Sequence, residues 1–582
     1  MTSSVTPILN KGQNEAIGFK SNWANSFLVD FICVFCIFFL YAGSSVPAIN
    51  EPHYWTKAAH FWDNDFGRGD LFLESGDAHW LFFATFGYLT QCIPMHWAVW
   101  TGRFVTWIFL ALSWTMLGRS LWQNDEKTDR QPPLPLQASC WGLVWLAGLH
   151  YGHWAGEWVV GGCESKGIAY AFIFAGLALA IRRRWTLAWA MLGGASAYHV
   201  VTGIWVIACV ATVSLSLDGY SIRRWFTTHA PGWSLCVIGV IIGVVPALAI
   251  DWGTDPVLAS ESAVKQVYTR LGHHLAPSRF STVRWQDFGI LLACACVLLW
   301  MASRSKWDGR PTDISKTGVF ASLPRGLRLI IGWSLFGFAV AMVGLFVDYL
   351  FGRAFPAQAS KLLRFYLFRW NDVAMPMMVG ALAVSFAFGR LRFTPYTFAS
   401  RCVVGACAFI PGIVLLGYRF ESNSNELIPA GDKAHFVAKS DSEAEQLRQF
   451  KDWVRVCEWI KENSEPGSLW LTPRRQQSFK WRAGRAELAC WKDAPQNAEA
   501  VVQWSKRLAD AYQFDSEKKL QPWTDEKLWA LHAKYGIRYV LLDRRVQGQI
   551  PPLLPILYPS QNELNATFAV FEFPSQIENV SR

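Results

Sequence analysis

The chain has 582 residues, of which 52% are hydrophobic and only 17% are charged, and it contains 32 tryptophans. This composition departs from that of soluble globular proteins and predicts a membrane protein. The formal net charge of +10 does not indicate a nucleic-acid partner, because lysine and arginine also accumulate in the cytoplasmic loops of membrane proteins.

Apolar runs occur along most of the chain. A helix that crosses a bilayer needs roughly 20 mainly apolar residues, and the sequence predicts about 11 to 13 spans. The runs are Phe27 to Val46, Trp97 to Leu117, Ser139 to Tyr151, Gly167 to Ile181, Leu187 to Leu217 (long enough for a helical hairpin), Gly232 to Ile250, Gly289 to Met301, Leu327 to Leu350, Val373 to Phe388 and Cys402 to Tyr418. The first run lacks a small-residue cleavage site, so we expect an anchor that leaves Met1 to Asn25 in the cytoplasm.

Basic clusters between the apolar runs predict the topology. The positive-inside rule places them in the cytoplasm of a multi-pass protein of the inner (cytoplasmic) membrane. These clusters are Arg182 to Arg184, Arg223 with Arg224, Arg304 to Lys316, and Arg390 to Arg401. The loops Pro47 to Ala78 and Gly152 to Lys166 then share the extracytoplasmic face, provided that His79 to Cys92 does not cross the bilayer fully.

The chain turns polar after the last run. Helix-like patterns at Ala444 to Asn463 and Trp523 to Lys534 alternate with strand-like Ser468 to Thr472 and "IRYVLLD". The prediction is a mostly α protein: a polytopic helical membrane bundle, residues 1–420, with a soluble extracytoplasmic α/β domain, residues 421–582. Ser422 to Ser442 is the predicted linker.

The first outward loop begins with "AINEPHYW". Glu51 lies within five residues of the apolar run, near the depth at which ionisable groups are costly and tend to be functional. A carboxylate at that depth can act as a general base toward a hydroxyl; the alternative is a helix-end acid that faces water. Asp63 and Asp65, further along the loop, are interpreted as surface charges.

The second outward loop reads "LHYGHWAGEWVVGGCESKGIAY". His150, His153 and Glu157 have the spacing i, i+3, i+7, which allows a divalent cation if the helix continues, although HxxH alone is a weak signal and the metal is left unknown. Glu164 and Lys166 precede a span, either as functional groups or as an interfacial pair. The adjacent glycines, at positions 161 and 162, indicate a close approach of backbone to a ligand.

Two further stretches carry candidate ligand contacts. His199, in "GGASAYHVVTGIW", is either a satisfied interfacial group or a ligand contact. Lys361, Arg364 and Arg369 lie in an outward loop, against the positive-inside trend, and the arginine fork suits a phosphate. The alternatives are an Arg369 to Asp372 pair or snorkelling to head groups.

The tail contains "TPRRQQSFKWRAGRAELACWKDAP", in which cations alternate with Phe479, Trp481 and Trp491. Such a surface can bind a sugar or a lipid head group, and it can equally be a solvated basic face. The sequence has no GxxxxGK[ST], GxGxxG or HExxH motif. Nucleotide-driven transport, nicotinamide chemistry and common zinc proteolysis are therefore not expected.

The arrangement resembles the GT-C superfamily of polytopic glycosyltransferases. The likeness depends on Glu51 after the first span, Glu157 and Glu164 in the second acidic loop, the basic outward loop near Arg364, and a soluble α/β domain after the last span. The segments "GGCESKGIAYAF", "AYHVVTGIW", "FYLFRWNDVAMP" and "TPRRQQSFKWRAGRAELACWKDAPQ" look similar to an uncharacterised bacterial, planctomycete-type integral-membrane family with a domain-of-unknown-function label.

This resemblance implies transfer of a sugar from a polyprenyl-phosphate donor to a glycan or lipid acceptor in the cell envelope, with inversion. Glu51 would be the general base, and Glu157 or Glu164 would position the acceptor or a divalent cation. The leaving phosphate would be stabilised by Lys361, Arg364 and Arg369. Substrate contacts would come from His53, Tyr54, Lys166 and His199. The variant Glu51→Gln is expected to lose transfer and to stay folded.

Two other classes remain open at this stage. A transporter or flippase of a lipid-linked anion would place ionisable groups deep in the spans, where Arg103 and Asp348 are the candidates. A non-catalytic membrane protein that binds an envelope polymer through its outer domain is the other.

Overall fold

The structure is a computed structural model that describes residues 9–122, 135–219, 221–307, 320, 322–393, 398–436, 441–548, 552–560 and 564–574. Parts of four predicted features lie outside the described residues: the cytoplasmic N-terminal segment at 1–8, two basic clusters at 308–319 and 394–397, and the linker at 437–440.

The membrane region is built from helices of very different lengths. They are α1 (Leu9–Ala42), α2 (Glu51–Trp62), α3 (Trp80–Thr85), α4 (Leu89–Cys92), α5 (Met95–Leu121), α6 (Gln137–Tyr151), α7 (Ser165–Ile181), α8 (Trp185–Tyr198), α9 (Val200–Asp218), α10 (Ile222–Ala249), α11 (Pro256–Val264), α12 (Gly272–Leu275), α13 (Thr282–Ser303), α14 (Arg325–Phe351), α15 (Pro356–Leu363), α16 (Arg369–Ala387) and α17 (Phe398–Ser424). A two-stranded antiparallel ribbon pairs β1 (Lys306–Trp307) with β2 (Leu391–Arg392).

Seven of these helices are long and apolar enough to cross a membrane: the part Asn25–Ala42 of α1, and α5, α9, α10, α13, α14 and α17. The shorter apolar helix α7 has 17 residues. Helices α6 and α16, with 15 and 19 residues, coincide with two of the shorter predicted runs, and α8, with 14 residues, covers the first half of the Leu187 to Leu217 run. The predicted polytopic helical bundle is confirmed, and the Leu187 to Leu217 run is a hairpin that breaks at His199.

Small residues allow the closest helix contacts in the bundle. A Cβ on Gly193 of α8 would lie 2.8 Å from the Cys236 backbone of α10, and one on Gly239 would lie 2.3 Å from the backbone of Gly193. Such small-residue contacts are typical of membrane helices, whose association depends on close packing. Elsewhere the core uses tryptophan: the Trp114 ring lies 4.2 Å from that of Trp141 and 4.4 Å from that of Trp145.

The segment His79 to Cys92 forms no long helix. It is divided into α3, a 3-10 turn over Phe86–Tyr88, and α4, and it ends before Pro94. None of these pieces reaches the roughly 20 residues that a span requires.

The tail contains an α/β fold. Its elements are α18 (Ala430–Phe436), α19 (Glu443–Asn463), β3 (Leu469–Leu471), α20 (Phe479–Ala483), β4 (Ala486–Glu487), α21 (Ala498–Ala511), α22 (Asp525–Tyr535), β5 (Tyr539–Asp543), α23 (Arg544–Gln547), β6 (Ile556–Tyr558) and β7 (Phe568–Glu572). The strand order is β4-β3-β5-β7-β6. The β4, β3 and β5 strands are parallel, whereas β7 pairs antiparallel with β5 and β6.

Each face of this sheet buries its own apolar core. Trp453 of α19 and Phe479 of α20 pack on one face, and Trp504 of α21 and Leu528 of α22 pack on the other. The predicted α/β fold of the tail is confirmed. Helix α17 runs to Ser424, past the predicted boundary at residues 420 and 421, which stays a prediction.

Candidate functional site at the domain interface

A narrow polar cleft lies where the ends of several helices meet. Its lining residues are Glu157, His199, Val201, Thr202, Trp205, Tyr366, Arg369 and Trp370. They come from the loop before α7, the first turns of α9 and the turn into α16. The cleft therefore brings together three site residues that were predicted from separate loops: Glu157, His199 and Arg369.

Glu157 is the central acid of the cleft lining. Its carboxylate lies 2.7 Å from the Lys166 ammonium and 3.6 Å from Nε of Arg369. The Lys166 ammonium lies 4.0 Å from the centre of the Trp158 ring, a cation–π distance. Glu157 is therefore shared by both cations, and each cation also has a second buried carboxyl near it, Glu164 for Lys166 and Asp372 for Arg369.

Of the three predicted basic residues, only Arg369 lines the cleft. Lys361 and Arg364 are exposed, and the Arg364 guanidinium lies 5.5 Å from the Phe365 ring. The structure therefore does not bring these three residues together around one phosphate, as had been predicted. The alternative pair is also absent: Asp372 accepts backbone N–H groups of Trp154 and Ala155 at 2.7 and 2.8 Å and so holds the second loop.

Glu51 is fully buried at 0% exposure, at the first residue of α2. The Arg103 fork donates to both of its oxygens, from Nε at 2.7 Å and from Nη2 at 2.6 Å. The backbone N–H groups of Ala48 and Cys163 add 2.7 and 2.9 Å hydrogen bonds. These donors use the roughly four acceptor positions of a carboxylate, so no position is left for an acceptor hydroxyl, against the prediction of a general base.

Gly162 explains how the second loop reaches Glu51. A Cβ at this position would lie 2.7 Å from Glu51 Oε1, a distance that real Cβ atoms do not adopt. The absent side chain lets the loop backbone approach the carboxylate so that Cys163 can donate to it. The predicted close approach of backbone at the glycine pair is present, but its partner is Glu51 and not a ligand.

Glu164 differs from Glu51 in having an oxygen with no partner. It is 2% exposed, and its Oε1 has no hydrogen-bond partner among the described residues. Burial raises the pKa of this carboxyl to about 7, against the lowering effects of Lys166, an Asn50 hydrogen bond and Lys492. A buried acid of this kind can exchange a proton near neutral pH.

A row of aromatic and imidazole rings lies beside Glu164 in space. The Tyr54 ring is 5.5 Å from that of His79, which is 5.2 Å from that of His199. Burial and then the Glu164 charge raise the pKa of Tyr54, so its hydroxyl stays protonated. Burial lowers the pKa of His79 to about 4, and its Nδ1 has no partner among the residues that the structure covers.

The soluble domain forms a roof over this region through the segment Cys490 to Ala498. Nδ1 of His53 lies 3.0 Å from Asp493, and Arg270 donates to the Lys492 carbonyl at 3.0 Å. The N–H of Ala78 donates to the Gln496 side chain at 2.6 Å. Lys492 and Asp493 belong to the tail stretch that was predicted either to bind a sugar or lipid head group or to be a solvated basic face, and only the folded contacts bring them to the outer loops.

A buried ion cluster fixes the same roof from within. The Lys480 ammonium lies 2.5 Å from Glu487, 2.8 Å from Asp493 and 3.6 Å from Asp70 of the first outer loop. Asp70 also accepts the backbone N–H of Glu487 at 3.1 Å. In the predicted basic, aromatic tail segment, Lys480 is therefore buried in internal ion pairs. Arg482 likewise pairs with Asp432 at 2.6 Å.

The predicted metal ligands do not come together. Helix α6 ends at Tyr151, so the helical spacing of His150, His153 and Glu157 is lost, and His153 Nδ1 instead lies 2.9 Å from the His150 carbonyl. Within the described ranges, the grouping with metal-ligand spacing is Glu487, Cys490 and Asp493, whose ligand atoms lie within 4.8 Å of one another. The Lys480 ammonium already contacts two of these groups, Glu487 and Asp493, so a divalent cation would have to displace it.

The charges predicted at depth also have internal partners. Arg103 binds Glu51, and Asp348 accepts from the Tyr268 hydroxyl at 3.1 Å and from the Ser278 N–H at 2.7 Å. A conduit would need such groups to face an open path, so this arrangement does not favour the transporter interpretation.

Fold and site together define a multi-pass helical membrane protein with a polar cleft beneath a C-terminal α/β domain. The family model described as a domain of unknown function, DUF6798, matches residues 451–511, within the soluble domain. No curated protein matches the chain.

Among solved structures, the chain is similar to an archaeal oligosaccharyltransferase, AglB from Archaeoglobus fulgidus, in complex with an inhibitory peptide and a dolichol-phosphate. The identity is 12% and the TM-score 0.40, with 90% of this chain and 70% of that chain covered. A second structure, the Archaeoglobus fulgidus oligosaccharyltransferase complex with zinc and sulfate, has 11% identity and a TM-score of 0.35 over 89% and 68% of the two chains.

Proposed function

We propose that the protein is an integral-membrane glycosyltransferase that moves a sugar from a polyprenyl-phosphate donor to an acceptor hydroxyl, on the extracytoplasmic face of the inner membrane. The observation that carries this proposal is the buried Glu164 carboxyl with its unpartnered Oε1, near Lys166, which shares the Glu157 carboxylate with Arg369. A proton acceptor next to cations is what transfer from a phosphate-linked sugar to a hydroxyl requires.

Glu164 is proposed as the general base, in place of Glu51. It removes the proton of the acceptor hydroxyl while the acceptor oxygen bonds to the anomeric carbon and the bond from that carbon to the donor phosphate breaks. A pKa of about 7 suits this role, because a base is most effective when its pKa is close to the working pH. Direct displacement of this kind inverts the anomeric centre.

Arg369 and Lys166 are proposed to bind the departing phosphate. Glu157 lies against both cations and fixes their positions without neutralising both. Nε of Arg369 has no hydrogen-bond partner in the described part of the chain, so the guanidinium keeps donors for a phosphate oxygen. Lys361 and Arg364, which are exposed, are proposed to contact the lipid surface, whereas Tyr54, His53 and His199 shape the acceptor side.

Glu51 is proposed as a positioning residue. Its ion pair with Arg103 and its hydrogen bond to the Cys163 N–H fix the second loop immediately before Glu164. Loss of Glu51 would therefore displace the base through the loop, and it would also affect folding.

Transfer can be measured with the full chain in lipid nanodiscs, with a polyprenyl phosphate carrying a radiolabelled hexose and a membrane glycolipid fraction as acceptor. We expect Glu164→Gln to lower turnover by about two orders of magnitude or more, the range that a general base contributes, with little change in donor binding. Arg369→Gln should chiefly weaken donor binding, because it removes a phosphate contact.

Glu74→Gln is the matched control, since Glu74 is an exposed acid on the first outer loop. Full turnover by the Glu164→Gln protein would remove this residue from the mechanism. Equal loss of turnover in the Glu74→Gln control would show that the assay does not report on the cleft.

A further inference from the structure

Arg270 and Lys492 contact each other in the roof of the cleft, and neither side chain forms an ion pair with a carboxylate in the described ranges. Arg270 belongs to the outer loop between α11 and α12, and its Nη2 donates to the main-chain carbonyl of Lys492 at 3.0 Å. Both side chains are half-buried. Nε of Arg270 is buried and has no hydrogen-bond partner there.

Two acids lie near this pair. Glu164, the proposed base, raises the pKa of Lys492 but forms no ion pair with it in the described ranges. Asp493, next to Lys492 in sequence, is bound by His53 at 3.0 Å and by Lys480 at 2.8 Å. The chain is fixed on both sides of Lys492, because Trp504 donates to the Cys490 carbonyl at 2.8 Å and Ala498 donates to Asp251 at 2.7 Å. Hydrogen bonds of the surrounding chain, and not electrostatic attraction, therefore hold Lys492 near Arg270.

This arrangement has a cost that an anionic ligand would remove. Burial, and then the Arg270 charge, lowers the pKa of Lys492 to about 8, and burial lowers the pKa of Arg270. The Glu164 and Asp493 charges offset only part of this lowering, because partly buried like charges destabilise each other where neither forms an ion pair. A carboxylate or phosphate bound between them would accept charge-assisted hydrogen bonds from both side chains.

We infer that Arg270 and Lys492 form a subsite for an anionic group of the acceptor, so that the acceptor is an acidic glycan or glycolipid. The identification of the bound molecule as the acceptor rests on the proposed function. Binding of an anion at this subsite can be tested whether or not the protein transfers a sugar. Its place supports the acceptor side: Lys492 lies in the soluble domain, whereas the proposed donor cations Lys166 and Arg369 lie at the ends of membrane helices.

The test is direct binding to the full chain in nanodiscs, without donor lipid. The probes are trigalacturonate, an acidic trisaccharide, and maltotriose, a neutral one, and isothermal titration measures both affinities. We expect the wild type to prefer trigalacturonate by about tenfold or more, the worth of one hydrogen bond to a charged group. Lys492→Gln and Arg270→Gln should each abolish that preference, and Lys492→Arg should retain it.

Lys361→Gln is the control, because Lys361 is an exposed cation that does not line the cleft, and near-UV circular dichroism checks the fold of each variant. Equal affinity of the wild type for the two trisaccharides overturns the inference, as does an unchanged preference in Lys492→Gln. Undecaprenyl phosphate is titrated in parallel. If Lys492→Gln weakens its binding as much as that of trigalacturonate, the anion belongs to the donor and the acceptor assignment is wrong.

These outcomes separate the inference from the proposed function. Loss of transfer in Glu164→Gln with no acid preference in binding would leave a glycosyltransferase with a neutral acceptor. Acid preference with no measurable transfer would leave an anion-binding membrane protein.

Discussion

The ion pair between Glu51 and Arg103 gives the sharpest test of the structure. Replacing Glu51 by Gln keeps the shape of the side chain but converts one acceptor oxygen into an amide NH2 donor. In either orientation that NH2 would face an Arg103 N–H together with a backbone N–H, from Ala48 or from Cys163. The variant therefore places donors against donors and leaves the buried Arg103 charge without a counter-ion.

The magnitude follows from the burial of both partners, each 0% exposed. Removing one member of such a pair costs about 3 to 5 kcal/mol, mostly because the other charge stays buried and unpaired. Replacing both members with uncharged groups, as in Glu51→Gln with Arg103→Met, removes that charge. The double variant should therefore lose less stability than the sum of the single variants, with a coupling energy of about 1 to 3 kcal/mol.

The assay is thermal unfolding of the full chain in detergent, followed by tryptophan fluorescence at a fixed heating rate. Each single variant should unfold several degrees below the wild type, and the double variant should recover part of the difference. Asp63→Asn serves as the control, since Asp63 is an exposed acid of the same loop. An unfolding temperature of Glu51→Gln equal to that of the wild type, or strictly additive effects of the two substitutions, would refute the buried pair. The expectation that Glu51→Gln stays folded would then stand.

Three further outcomes follow from the same contacts. Gly162→Ala should lower the unfolding temperature, because its Cβ would lie 2.7 Å from Glu51 Oε1, whereas Gly417→Ala should not, since no atom lies within 4 Å of that Cβ; equal effects would contradict the close approach. Transfer should increase as the pH rises through about 7, the pKa of Glu164, whereas stability should decrease from the ordinary carboxyl pKa of 4.5 up to about 7 and then level off, because only in that window does the folded carboxyl keep a proton that the unfolded one has lost; a flat rate profile between pH 6 and 8 would refute the base assignment. Lys480→Met should lower the unfolding temperature more than Lys519→Met does, because Lys480 faces buried carboxylates and Lys519 is exposed; similar losses would show that the cluster adds nothing.

The sequence predicted the fold well because the relevant signals are local. The length and apolar character of runs such as Arg325–Phe351 follow directly from composition. The strand "YVLLD" of the soluble domain follows a glycine three residues earlier, and its apolar run begins with Tyr539 and Val540, which favour strands, so it too is visible without tertiary contacts. The break at His199 could be predicted because the run around it is too long for one span.

The candidate site was predictable only in part, because its contacts join distant parts of the chain. Glu157 and Arg369 were identified from unusual charge in outward loops, and the structure brings both into one cleft. The partner of Glu51 was not predictable: Arg103 was visible as a charge at depth, but only helix packing places its fork on that carboxylate. His53 and Asp493 are 440 residues apart, a separation that no local pattern spans.

The same long-range contacts explain why the soluble domain belongs to the cleft. Asp70, from the first outer loop, is 1% exposed and shares the Lys480 ammonium with acids of the tail. Separating the two regions would expose the cluster and give up the pairing of several buried charges, which is costly because each was desolvated on folding. The roof is thus held in one position over the outer loops. The position of Lys492 beside the outer loops is therefore fixed by the same buried contacts.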